Sequence, residues 1–213
     1  MTTAATGKNL REGSPQKRES ILAAARELFL TDGFDRTSMD AVAARAGVSK
    51  RTVYDYYGDK RTLLFAVVEK AIKALGAAVH RAVDDNLFEI DDLESALIGA
   101  ATSVTTTTLG SADYTALTRL LANESSNLPD LARLVRQEWM VTEPEALIAE
   151  RFAEFDRLGL LSAPDPRLAA DHFVALTVKP LQRSREGRDD AEARQSIIDG
   201  VKAFLRAYGA APL

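Results

Sequence analysis

From Ser49 to Lys60 the chain reads SKRTVYDYYGDK, which brings Lys50, Arg51, Thr52, Tyr54, Asp55, Tyr56 and Lys60 into one short span. Ammonium, guanidinium and phenolic groups donate hydrogen bonds to phosphate oxygens, and lysine or arginine also fits guanine O6 and N7 in a major groove. These groups act together only if a helix carries them on one face. Ser49 offers an N-cap, Gly58 a stop, and Val53 and Tyr57, four residues apart, an inner side. Tyr57 is therefore expected in the core, with Tyr54 and Tyr56 outward beside Lys50, Arg51 and Thr52. A plainer reading also stands: the Lys-Arg pair is a solvated face, spent on an ion pair with Asp55.

Two further helices are needed to hold such a face. Ser14-Pro15 opens the first, whose apolar stripe of Ile21, Leu22, Ala25, Leu28 and Phe29 runs up to Gly33. Thr37 and Ser38 supply capping hydroxyls for MDAVAARA, and Gly47 stops it. Small Ala43, a glycine able to take positive φ, and apolar Val42, Val48 and Val53 are what two helices meeting at a steep angle require. The pattern is a helix-turn-helix, and its DNA-binding set is read as Thr37, Ser38, Ser49, Lys50, Arg51, Thr52, Tyr54, Asp55, Tyr56 and Lys60.

Helical periods recur at 92–109, 113–125, 128–159, 167–184 and 190–208, so the fold class is all-α, with about nine or ten helices. SVTTTTLG is rich in β-branched residues but lies inside a helical period. Pro144 and Pro180 should each kink or split a helix. The domain expectation is a basic arm at 1–14, carrying Lys8 and Arg11, a DNA-binding domain at 15–61 and a larger helical domain at 62–213. Net charge is −4, yet the chain through Arg61 holds eleven basic and eight acidic residues and the remainder is net negative, so the two parts differ in character.

No cysteine is present, which excludes thiolate metal sites, cysteine nucleophiles and disulfides and fits a reducing cytoplasm. No long apolar run suggests a membrane span. His80 and His172 lack partners at metal-binding spacing, and no nucleophile elbow, phosphate loop or dinucleotide fingerprint occurs, so neither enzyme, metal nor cofactor is expected. Asp91-Asp92 and Asp189-Asp190 read as carboxylates at helix N-termini.

Residues 17–66 resemble the TetR-type (AcrR-like) bacterial transcriptional regulators. Ala25, Phe29, Gly33, Thr37-Ser38, Ala43, the AGVSK run at 46–50, Thr52, Tyr54, Tyr57, Asp59-Lys60 and Leu63-Leu64 carry the resemblance. Arg51 stands where glycine is frequent in that family, and Asp55 where histidine is frequent. Both departures alter base readout. A weaker resemblance to a C-terminal subtype of these regulators covers LPDLARLV and RLGLLSAPDPRLAADHF within 128–177. The resemblance to the TetR-type regulators implies a homodimer on a palindromic operator of double-stranded DNA, usually a repressor, released by a small-molecule effector. The alternative is a helical protein-interaction or structural protein without specific DNA binding.

For the effector, Thr105, Tyr114, Leu117, Leu121, Trp139, Met140, Phe152 and Phe155 are candidate pocket residues, each also readable as core. For the dimer, the last two long helices offer Phe173, Leu176, Ile197, Val201, Phe204, Leu205 and Tyr208, which would form a four-helix bundle across a two-fold axis or face only the chain's own core.

Overall fold

The structure, a computed structural model, describes residues 14–88, 90–110, 114–115, 118, 129–141, 144–183 and 189–210. The helices are α1 (Pro15–Thr31), α2 (Met39–Ala46), α3 (Lys50–Tyr57), α4 (Lys60–Leu87), α5 (Leu93–Leu109), α6 (Pro129–Val141), α7 (Pro144–Arg157), α8 (Pro166–Thr177), α9 (Lys179–Arg183) and α10 (Asp190–Tyr208). Among the described residues no strand occurs, and the one extended pairing recorded is an isolated antiparallel bridge between Leu161 and Gly209. The threonine-rich run lies inside α5, where the Thr108 hydroxyl donates to Val104 O one turn back at 2.8 Å. Such a bond from a threonine hydroxyl to a carbonyl one turn back is how the residue is accommodated inside a helix.

Both prolines divide a helical pattern, as their missing N–H requires. Pro144 opens α7 after α6 has ended at Val141, and Pro180 stands at the second position of α9, after Val178 has closed α8. Carboxylates cap the helices where acidic pairs stand in the sequence. Asp92 accepts from Ser95 N–H at 2.8 Å, and Asp189 from Glu192 N–H at 2.7 Å. The Ser95 hydroxyl and backbone N–H hold the Asp92 carboxyl below its usual range.

The described residues fall into two compact units, one within Met1–Ala71 and Ala116–Arg136, the other within Ile72–Thr115 and Gln137–Leu213. Both α4 and α6 contribute to each. In the first unit α1 packs on α2 and α2 on α3, burying Ile21, Ala25 and Phe29 from α1, Val42 and Ala43 from α2, and Val53 and Tyr57 from α3. Leu63 and Leu64 of α4 are fully buried too, and continue the apolar side of a long helix.

The second unit centres on rings. Phe152 of α7 lies 5.2 Å from Phe204 and 5.6 Å from Phe173, and Phe204 lies 5.3 Å from Phe173, as ring centroids. Edge and offset arrangements of this kind contribute beyond the area they bury. The α8–α10 approach depends on Gly200, because a Cβ there would collide with the carbonyl of Leu176 and lie 3.1 Å from Thr177 Cγ2. Glycine lets the two backbones nearly touch.

Candidate nucleic-acid interface

The helix-turn-helix is built from local instructions. Ser38 caps α2 by accepting from Ala41 N–H at 3.1 Å, and Ser49 caps α3 by accepting from Thr52 N–H at 3.1 Å. Between them Gly47 takes φ 67° and ψ 31°, a left-handed conformation that costs a residue with a Cβ roughly 1–2 kcal/mol. Its N–H bonds back to the end of α2, so the chain leaves α2 and enters α3 within three intervening residues. Val53 and Tyr57 then point inward, and Arg51, Tyr54 and Asp55 are exposed.

The expected DNA-contact residues divide by what their polar atoms already do. Arg51 has 90% of its side-chain surface exposed, with Nε 3.7 Å from Asp55 Oδ2, beyond hydrogen-bond reach. Tyr54 is exposed, with the Lys50 ammonium 5.9 Å from its ring centroid. Lys50 Nζ sits 2.8 Å from Asp40 Oδ1, and the hydrogen bond to that carboxylate raises the lysine pKa. The hydroxyls of Ser49 and Thr52 lie 2.8 Å apart, so they partly satisfy each other. Tyr56 is half-buried beside the Tyr57 ring.

Two members of the set need correction. Thr37 is buried and its hydroxyl donates to Gly33 O at 2.8 Å and Leu28 O at 3.2 Å, which fastens the α1–α2 loop and leaves nothing for DNA. Lys60 is the other. Its ammonium donates to Phe34 O at 2.8 Å and Asp35 O at 3.2 Å, and lies 4.4 Å above the Phe34 ring. It clips α4 to the α1–α2 loop, with one of its three protons left for any phosphate. Sequence spacing did not disclose either role, since the partners of Lys60 are backbone carbonyls about 25 residues away. Asp40 was legible only as a first-turn acid, and the fold alone brings it to Lys50.

Tyr57 is core, as expected, and burial pushes its phenol up to about 12. Its hydroxyl has no hydrogen-bond partner. The folded phenol keeps its proton above the unfolded pKa, so the folded state binds more protons between about pH 10 and 12 and stability falls as pH rises there. We expect the wild-type chain to lose on the order of 2 kcal/mol more than Tyr57→Phe across that interval. Denaturant midpoints for both chains measure it, and parallel curves would place the phenol in water.

The effector candidates separate in the same way. Phe152 and Phe155 are buried in the core of the second unit, with Phe152 packed against Phe173 and Phe204. Thr105 carries a buried hydroxyl with no partner, and Tyr114 is half-buried. Leu117 and Leu121, together with the side chains of Trp139 and Met140, lie outside the described residues. Of the dimer candidates, Phe173, Ile197, Val201 and Phe204 are buried by their own chain, a correction whose cause is the ring core. Leu176 is exposed, and Leu205 and Tyr208 are half-buried.

Comparison with known proteins decides what this assembly belongs to. The sequence profile of bacterial regulatory proteins of the tetR family matches residues 21–67, the helix-turn-helix and its flanks. A second profile, the C-terminal domain of AefR-like transcriptional repressors, matches residues 97–210. The chain belongs to the TetR family. Among solved structures, a TetR-family transcriptional regulator from Mesorhizobium loti MAFF303099 superposes with a TM-score of 0.82 at 27% identity, over 93% of this chain and all of that one. The flavonoid-responsive regulator FrrA superposes with a TM-score of 0.70 at 30% identity, over 92% of this chain and 98% of its own. The transcriptional activator FasR of Mycolicibacterium smegmatis is 35% identical over 68 residues, 32% of this chain and 31% of FasR. The chain thus spans about a third of the length of the first curated relatives it matches. These TetR relatives are regulators of transcription, and among the described residues no helix is long and apolar enough to cross a membrane.

Proposed function

We propose that this TetR-family chain is a ligand-responsive transcriptional repressor of the cytoplasm, which binds a palindromic operator as a homodimer and releases it when a small molecule enters the second unit. The observation that carries the reading is α3 itself: a capped helix after a left-handed glycine turn, with Arg51 standing 90% exposed at its second position. Residues 15–61 serve as the DNA-binding domain and 62–213 as the sensing and dimerising domain. The match to a repressor C-terminal domain supports the sign of regulation. The dimer face is drawn from the surface that the core leaves over, exposed Leu168 and Leu176 with half-buried Ile198, Leu205 and Tyr208. FrrA is flavonoid-responsive, which makes flavonoids the first compounds to test as effectors.

The test is selection of bound duplexes from a random pool. We expect enrichment of one inverted repeat, on which Arg51→Ala costs about 1–3 kcal/mol while costing much less on unrelated duplex. A wild-type chain that binds duplexes without enriching any sequence would leave only a helical protein attracted to charge, and the repressor reading would fall.

A further inference from the structure

Two neighbouring cations open α3, and the fold treats them differently. Lys50 and Asp40 are ten residues apart in sequence, yet the lysine ammonium lies 2.8 Å from Oδ1 and 2.9 Å from Oδ2 of the carboxylate. Lys50 is the first residue of α3 and Asp40 lies in the first turn of α2, so the pair spans the helix-turn-helix. Side-chain exposures of 58% and 61% mean that packing does not impose the contact. Arg51, one residue on, makes no comparably close contact with its neighbour Asp55.

When a helix-turn-helix engages DNA, the N-terminal residues of its second helix enter the major groove and its first helix crosses the phosphate backbone. Both ends of the Asp40–Lys50 pair then face the duplex. Binding to DNA of any sequence is driven by release of counterions, one for each phosphate that a cation neutralises. A lysine already held by both oxygens of a carboxylate neutralises no phosphate unless it first leaves that carboxylate, which then stands bare against the polyanion.

We propose that Asp40 is a positioning residue for DNA binding: it retains Lys50 and withholds that ammonium from the phosphates, so that α3 engages duplex with one fewer counterion released and Arg51 is the cation left to reach a base edge. The inference rests on the DNA-binding reading above. Its consequence is weaker attachment to unrelated sequence, where phosphate contacts supply essentially all of the affinity.

The experiment uses the full chain and a duplex of about 30 base pairs of randomised sequence, with anisotropy titrations at about 50 mM and about 200 mM NaCl. Asp40→Asn should bind this duplex more tightly than wild type, with a log–log salt slope steeper by about 0.9, so that its advantage is about threefold larger at the lower salt. Lys50→Gln alone leaves the Asp40 carboxylate bare beside the duplex and should weaken binding without steepening the slope. In the Lys50→Gln background Asp40→Asn should relieve the repulsion of a bare carboxylate but should not steepen the slope by about 0.9, because no ammonium remains to be freed. Circular dichroism of each variant checks that the helices persist. A slope that Asp40→Asn steepens by the same amount in the Lys50→Gln background would overturn the proposal, since Asp40 would then act only as a repelling charge. A slope for Asp40→Asn equal to that of wild type overturns it as well. Wild-type chain that retains no duplex even at the lower salt would instead remove the DNA-binding reading, and this inference with it.

Discussion

Phe204→Glu is expected to unfold the second unit rather than to separate two intact subunits. The Phe204 ring has no exposed surface in the single chain. It lies 5.2 Å from Phe152, 5.3 Å from Phe173 and 4.8 Å from Tyr208, as ring centroids. Truncating a ring so enclosed costs about 3–5 kcal/mol through lost transfer energy and the cavity left behind. A carboxylate in its place adds several kcal/mol, because the Phe152, Phe173 and Tyr208 rings around it carry no positive charge to pair with it. That total approaches the whole stability of an ordinary domain. Phe204→Ala is the graded companion, with a denaturant midpoint lowered in proportion while α1–α3 stay helical. Should Phe204→Glu keep the wild-type midpoint and simply sediment as a monomer, α10 would have to face outward and the ring core would be misassigned.

Leu176→Glu should have the opposite character, a stable chain that cannot pair. Leu176 is 39% exposed and Leu168 47% exposed, so a glutamate at either position meets water in the single chain. In a dimer built on the α8 and α10 surface the same group would be buried without a partner. Sedimentation should show a monomer with an unchanged melting temperature. Operator affinity should fall by about a hundredfold or more, because a lone head loses the raised effective concentration of the second half-site. A dimeric Leu176→Glu chain of normal affinity would move the interface away from α8.

The contrast between these residues marks how far the sequence could be read. Boundaries of α2 and α3 follow from Ser38, Gly47, Ser49 and Gly58, whose instructions are local, and the structure places those helices at Met39–Ala46 and Lys50–Tyr57. Helical period also sorts a stripe from a polar face, but it does not say which partner covers the stripe. Phe204 and Leu176 both belong to apolar stripes; one is spent on α7 and α8 and the other is left over, a distinction set by three-dimensional packing. Charged residues were the least legible. Lys60 and Lys50 share the same chemistry in the sequence, and only the fold gives one a pair of loop carbonyls and the other a carboxylate.

The loop clip made by Lys60 has a mechanical corollary. Within the first unit α4 is fastened three times along its opening turns: by Lys60 to the carbonyls of Phe34 and Asp35, by Arg61 to Asp130 of α6 at 2.7 Å, and by Lys70 to Glu19 of α1. A pull on the start of α4 therefore cannot slide it past the α1–α2 loop without breaking several polar contacts at once. These contacts tie α4 to α1 and to the loop leading into α2, on which α3 packs. In a dimer, control of operator binding would then be exerted by changing the gauge between two heads, as between rails, and the reading surface of each would stay the same whether or not the DNA is held.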